Sequence, residues 1–112
     1  MTISEKLIQA ILGGKAKSIG GNTFVDFIPC YGNGISSNQV CCEVVLYNTT
    51  IARLFIDIES NTINLYEFNH GRFKTKTTKD RMNAIADHFE LPRVYQHNFV
   101  WYQYIDGVKT VF

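Results

Sequence analysis

The sequence predicts an α+β fold in a single domain over residues 1–112: an antiparallel β-meander plus a C-terminal hairpin, with two helices. Three observations carry this. Two segments repeat apolar residues at helical spacing; four strand-like runs follow one another with breaks of two or three residues; and Asp106-Gly107 stands between two further strand-like runs. Breaks that short permit only antiparallel neighbours, because a parallel crossover needs about a dozen residues.

Taken in order, the first helix has its start written at Thr2, with Glu5 at the capping-box spacing. Ile3, Leu7, Ala10 and Ile11 form one apolar stripe, and Gly13-Gly14 supplies the stop. Lys15 to Asn22 is Gly-rich and reads as a connector. It fails as a phosphate loop, since no Gly lies five residues before Gly14 and Ala16 stands where a metal-binding hydroxyl is required. Phe24 to Pro29 is predicted as a short strand and Tyr31 to Asn38 as a loop. The meander follows: Val40 to Tyr47, Thr50 to Ile58, Thr62 to Phe68 and Arg72 to Thr77. In its second strand, alternation puts Ala52, Leu54, Ile56 and Ile58 toward the core and Ile51, Arg53, Phe55 and Asp57 away from it. In the last, Arg72, Lys74 and Lys76 share a face. A second helix is predicted from Thr77 or Thr78, its stripe being Met82, Ile85, Ala86 and Phe89, with Arg81, Ala84 and His88 on the exposed side. Leu91-Pro92 ends it. Asn98 to Ile105 and Val108 to Phe112 then form the hairpin around Asp106-Gly107, the strongest short hairpin signal in the chain.

Bulk properties narrow the function classes. A chain of 112 residues and 12.8 kDa has no space for a cofactor domain, and 46% hydrophobic with 19% charged residues describes a folded chain. A formal charge of +1 argues against a polycation that coats nucleic acid or an anionic membrane. No apolar run approaches the roughly 18 residues needed to cross a bilayer, and Met1 to Lys6 lacks the features of a signal peptide. The expected address is cytoplasmic, with no membrane partner. Cys30, Cys41 and Cys42 are odd in number and two are adjacent, so neither a paired disulfide framework nor a CxxC metal knuckle is expected. Asn48-Thr49-Thr50 reads as a turn and not a glycan site.

Catalysis has little support. His70, His88 and His97 show no HxxxH, HxH or HExxH spacing, Ser36 and Ser37 lack a nucleophile elbow, and the strongest catalytic candidate, a metal-free nuclease using His70 with Arg72 and Lys74, rests on histidines without a motif. The expectation is a protein that is not an enzyme, with no catalytic residues, metal or cofactor.

Two surfaces are better candidates. Residues 70–81 carry five of the eleven cations, Arg72, Lys74, Lys76, Lys79 and Arg81, on a strand that runs into a helix N-terminus able to attract an anion. Neutralising about three phosphates there gives a salt slope of only about −2.7, which is weak binding unless shape or stacking adds to it. The second surface is aromatic: Tyr95, Phe99, Trp101, Tyr102 and Tyr104. Alternation sends Phe99 and Trp101 to one side of the strand and Tyr102 and Tyr104 to the other, so one side faces the core and the other offers a stacking or protein-binding surface. Trp101, Tyr102 and Tyr104 are the expected anchors.

The stretch Tyr47-Asn48-Thr49-Thr50-Ile51-Ala52, followed by Gly71-Arg72-Phe73-Lys74-Thr75-Lys76-Thr77-Thr78 and on to Asn83, resembles small, functionally uncharacterised bacteriophage and mobile-element domains. Their pattern is a Tyr-x-Thr-x-Ile-Ala turn and strand, then an aromatic and hydroxyl-rich run ending in Thr-Thr at a helix start. The resemblance implies mobile-element origin and a small α+β fold, and brings no catalytic residues. A hydroxyl pair at that junction caps a helix, so Thr77 is expected as the cap.

Together these readings point to a small phage-type inhibitor of host defence, of the anti-CRISPR or anti-restriction kind. It would bind a host protein or nucleoprotein effector through the aromatic anchors, with the cations at the rim. The alternative is a small nucleic-acid-binding or transcription-modulating protein that uses residues 70–81 on DNA or RNA. An exposed-edge homodimer in which a strand or the aromatic face self-associates fits either.

Overall fold

The computed structural model of the chain describes residues 1–29, 39–57, 59–71 and 74–112. Two helices and eight strands follow in the order α1 (Ile3–Gly13), β1 (Lys17–Gly20), β2 (Thr23–Pro29), β3 (Gln39–Leu46), β4 (Thr49–Asp57), β5 (Thr62–Phe68), α2 (Lys76–Phe89), β6 (Tyr95–His97), β7 (Val100–Ile105) and β8 (Val108–Val111). The strands form two antiparallel sheets, one of order β1-β2-β3-β4-β5 and one of order β6-β7-β8. The α+β class holds.

The helix α1 starts as its sequence requires: the Glu5 N–H donates to the Thr2 hydroxyl at 3.1 Å, and the Thr2 N–H donates back to the Glu5 carboxylate at 3.4 Å. Its stripe Leu7, Ala10 and Ile11 is buried. Alternate positions of the strands meet it: Val25 on β2, Cys42, Val44 and Leu46 on β3, Ala52, Leu54 and Ile56 on β4. Met82 and Ile85 of α2 join the same cluster, so both helices cover one face of the large sheet.

Ile51 departs from the expected alternation. Val44 pairs with Ala52 but Val45 pairs with Thr50, which makes Ile51 an extra residue in β4. That bulge turns Ile51 inward beside Ala52, and both are buried.

Four connections are two-residue turns in which both central residues have positive φ, the signature of type I′: Gly21-Asn22, Tyr47-Asn48, Asn98-Phe99 and Asp106-Gly107. The turn at Asp106-Gly107 is the one its sequence predicts. The one at Tyr47-Asn48 falls one residue before the expected Asn48-Thr49 break, and the other two correct the reading. Lys17–Gly20 is a strand and not connector, paired to β2 through Gly21-Asn22. The expected strand from Asn98 is shortened because Asn98 and Phe99 form a turn, which gives the three-residue β6 its partner. Gly21 suits the turn because its φ of +58° lies in the left-handed region, and a Cβ there would also push the Arg81 guanidinium aside.

The predicted strand over 72–77 is the main error. Lys74 and Thr75 belong to no strand, and Lys76 is the first residue of α2. The alternation of cations with threonines imitates a strand, but Thr75 caps the helix: its hydroxyl accepts the Thr78 N–H at 3.2 Å, and Thr78 is buried. Thr75, not Thr77, is therefore the cap. Arg72, Phe73, Ile58, Cys30 and the expected loop Tyr31 to Asn38, with Ser36 and Ser37, lie outside the described residues.

Candidate partner-binding face

The C-terminal sheet is placed by its inner side. In β7 the side chains of Trp101 and Gln103 point to the core, and both residues are buried. Trp101 is 0% exposed and packs edge-on against the His70 ring at 5.7 Å and the Phe112 ring at 6.3 Å. Gln103 donates through Nε2 to the Pro92 carbonyl at 2.9 Å and to the Tyr66 hydroxyl at 3.3 Å. Burial pushes the Tyr66 hydroxyl above its ordinary value, and the bond from Gln103 opposes that rise. Where the helical and sheet parts meet, the side-chain amide of buried Asn83 holds both polar groups of Val94, accepting from its N–H at 2.7 Å and donating to its carbonyl at 3.0 Å. Val94 immediately precedes β6, so α2 fixes the position at which the sheet begins.

With one side docked, alternation sends the rest outward. Tyr95 pairs with Tyr102, Tyr102 with Val111, and Tyr104 with Lys109. The three tyrosines form one cluster, with ring centroids 5.7 Å apart for Tyr95 and Tyr102, 6.0 Å for Tyr95 and Tyr104, and 5.6 Å for Tyr102 and Tyr104. Lys109 places Nζ 4.4 Å from the centroid of the Tyr102 ring, a cation–π contact. Val100 and His97 continue the face toward the Asn98-Phe99 turn. No strand residue on this side is a carboxylate. At the turn itself the Phe99 side chain is 84% exposed, although φ is +65°. A bulky residue in the left-handed region is strained, and such strain clusters at sites that bind or switch.

The expected site residues thus divide. Tyr102 and Tyr104 lie on the outer face as anticipated. Trp101 does not: it is core, because the strand's inner side is the one that carries the indole. Tyr95 and Phe99 belong to the surface, and the cross-strand pairing of Tyr95 with Tyr102 becomes legible only once Asn98-Phe99 is recognised as a turn.

The cations do not form one patch. Lys74 reaches the hairpin, its Nζ donating to the Phe99 carbonyl at 3.3 Å. Lys76 is exposed and pairs with Asp80 at 2.8 Å, one turn along α2. Lys79 is half-buried in the first turn of the helix. Arg81 works inside the fold, donating from Nε to the Thr23 hydroxyl at 3.2 Å, with its guanidinium against the Gly21 turn. Among the described cations of residues 70–81, Lys74 is therefore the one that adjoins the hairpin carrying the aromatic face.

A separate cleft of about 280 Å³ opens where α2 begins, bounded by Leu46, Tyr47, Ile51, His70, Thr75 and Thr78. On the opposite side of the large sheet, Arg53 pairs with Glu43 at 2.7 Å. Among the described residues no group of three His, Cys, Asp or Glu side chains is arranged to hold a metal ion, and no helix is long and apolar enough to cross a membrane.

Two helices over antiparallel sheets define a class, the small α+β domain. Within that class, the family model described as Kyanoviridae Gp96 protein matches residues 1–111, and the chain belongs to this family. It is a bacteriophage protein. No curated protein and no solved structure matches the chain.

Proposed function

We propose that this phage protein is a non-enzymatic binding protein that inhibits a host system, with CRISPR and restriction defences the first candidates, by docking on a host protein or nucleoprotein complex. The observation that carries the reading is the outer face of the C-terminal sheet, where Tyr95, Tyr102 and Tyr104 form one cluster, Tyr95 and Tyr104 exposed and Tyr102 half-buried between its neighbours, with Phe99 exposed at the turn that joins β6 to β7. Tyrosine presents a large, rigid contact area with a polar tip and is enriched where binding energy concentrates. Lys74 and Lys109 supply the flanking positive charge. The partner surface that fits is apolar at its centre and acidic at its edge.

The test pairs a biological and a physical measurement. Expression in cells with an active CRISPR or restriction system should raise the plating efficiency of a targeted phage, and Tyr102→Ser with Tyr104→Ser should abolish the rise while melting stays cooperative. Affinity capture should recover a stoichiometric host component with the native protein and lose it with the double variant. Equal protection by both proteins removes the tyrosine face from the mechanism.

One observation favours a second reading. The rings lie beside Lys109 with no strand carboxylate among them, a combination that also suits single-stranded nucleic acid. Binding of an oligonucleotide that falls steeply with salt supports this reading, and a shallow dependence supports the first.

A further inference from the structure

The strand β8 is an open edge whose chemistry selects what pairs with it. The Phe112 N–H donates to the Trp101 carbonyl at 3.1 Å, which fixes the alternation of the β7–β8 ladder. Phe112, Thr110 and Val108 bond to β7, so the backbone N–H and C=O groups of Lys109 and Val111 point away from the sheet. All four residues of β8 are exposed, Val108 at 64% and Val111 at 62%.

The other sheet edges carry devices that discourage pairing. The strand β1 has a register shift and begins at Lys17; β5 has an extra residue, Asn64, and bears Glu67; β6 is three residues long. Of these the strand β8 has only a lysine. Its register with β7 is regular, it contains no proline, and Lys109 lies over the Tyr102 ring of the neighbouring strand.

We propose that a second copy of this chain pairs with β8 across a two-fold axis at Thr110, joining two three-stranded sheets into one of six strands. The register follows from two constraints. Outward-facing backbone groups must meet, which allows Lys109 opposite the partner's Val111, Lys109 opposite the partner's Lys109, or Val111 opposite the partner's Val111, the last making two hydrogen bonds in place of four. The second option sets two like charges directly opposite and is disfavoured. The first places Lys109 against the partner's Val111 in both halves, makes four backbone hydrogen bonds, and brings Thr110 against the partner's Thr110, a favourable cross-strand pair. With a strand of four residues on each side the interface is short, so the dimer is expected to exchange with monomer as concentration changes.

Light scattering and sedimentation over a dilution series should give twice the 12.8 kDa chain mass at high concentration and the chain mass on dilution. The register is read by charge: Val111→Lys should weaken the dimer about tenfold by facing two lysines, whereas Val111→Glu should tighten it. Val111 is exposed, so neither variant disturbs the core. Independently, Thr110→Cys should cross-link under mild oxidation well above the background of the unsubstituted chain, because the two Cα atoms of such a pair lie about 4.5 Å apart, within disulfide reach; Val108→Cys should stay at that background. A native chain that stays monomeric at all concentrations overturns the proposal and leaves the edge to a strand from another protein. A dimer indifferent to both charge variants, with no Thr110→Cys cross-link, overturns it equally and assigns self-association to another surface.

Discussion

Replacing Asn83 by Ala tests how the C-terminal sheet is held to the rest of the fold. The amide of Asn83 makes two hydrogen bonds to the backbone of Val94, at 2.7 and 3.0 Å, and both residues are buried. Truncation leaves one N–H and one C=O without a partner, each costing about 1–3 kcal/mol, so the expected loss is about 2–4 kcal/mol after partial relaxation. Against a total stability of about 5–15 kcal/mol that is a large fraction, and it corresponds to a fall in Tm of roughly 10–20 °C. Urea unfolding followed by far-ultraviolet dichroism gives the magnitude. Trp101, the single tryptophan, adds a local probe, since it is fully buried in the sheet that Asn83 anchors. Its emission should shift to the red in Asn83→Ala at urea concentrations where the helices persist, and the Val94 amide should lose protection from hydrogen exchange. Asn83→Asp keeps an acceptor but loses the donor and gains a charge, so it should destabilise as well. A loss below about 0.5 kcal/mol with the Val94 amide still protected would show that the side-chain bonds do not hold the sheet.

Three further outcomes follow from particular residues. Thr75→Ala should cost about 1 kcal/mol through loss of the α2 cap, while Thr77→Ala, which removes no cap, should stay within about 0.5 kcal/mol in the same urea titration. Phe99→Gly should raise stability by about 0.5–1 kcal/mol, because it relieves a left-handed φ at an 84% exposed side chain; a lower melting temperature would mean that the ring contributes to packing. Burial, reinforced by Cys41, Asp26 and Glu43, pushes the Cys42 thiol up to about 12, so the folded chain retains a proton that the unfolded chain releases near pH 8.5. The stability that this contributes is complete below the unfolded value and is lost as pH rises toward 12, and Cys42→Ala should flatten that part of the pH dependence of the urea midpoint.

The sequence was most legible where local chemistry and long-range packing agree. Thr2 with Glu5, the α1 stripe and Asp106-Gly107 each have one low-energy reading, and each is present. Errors arose where local signals were mixed. Lys17-Ser18-Ile19-Gly20 has two glycines just beyond Ile19 and one apolar side chain, too little to announce a strand, and its pairing depends on the type I′ turn that those glycines help to form. Residues 72–77 alternate as a strand does, yet the Thr75 hydroxyl makes a better partner for the free N–H of Thr78 than any strand neighbour supplies. Alternation in β7 separated its two faces but could not say which one meets the core, since Trp101 and Gln103 on one side compete with Tyr102 and Tyr104 on the other. The deciding contacts, Gln103 to Pro92 and Trp101 to His70, are tertiary.

The same asymmetry links the candidate face to the open edge. Burying Trp101 and Gln103 consumes the inner side of the C-terminal sheet, so the tyrosines have only the outer side, and β8 has no further strand to meet. Lys109 connects the two properties: its side chain lies across Tyr102 while its backbone faces the open edge. In a two-fold pair the tyrosine clusters of both copies would stand on one continuous surface, and a partner that engages both would gain by effective concentration without any new contact. Dimer formation and partner binding are then separable by position. Tyr104→Ser should weaken the partner and spare the dimer, whereas Val111→Lys should weaken the dimer and, through lost bivalency, the partner as well. A partner whose affinity ignores Val111→Lys engages one copy alone.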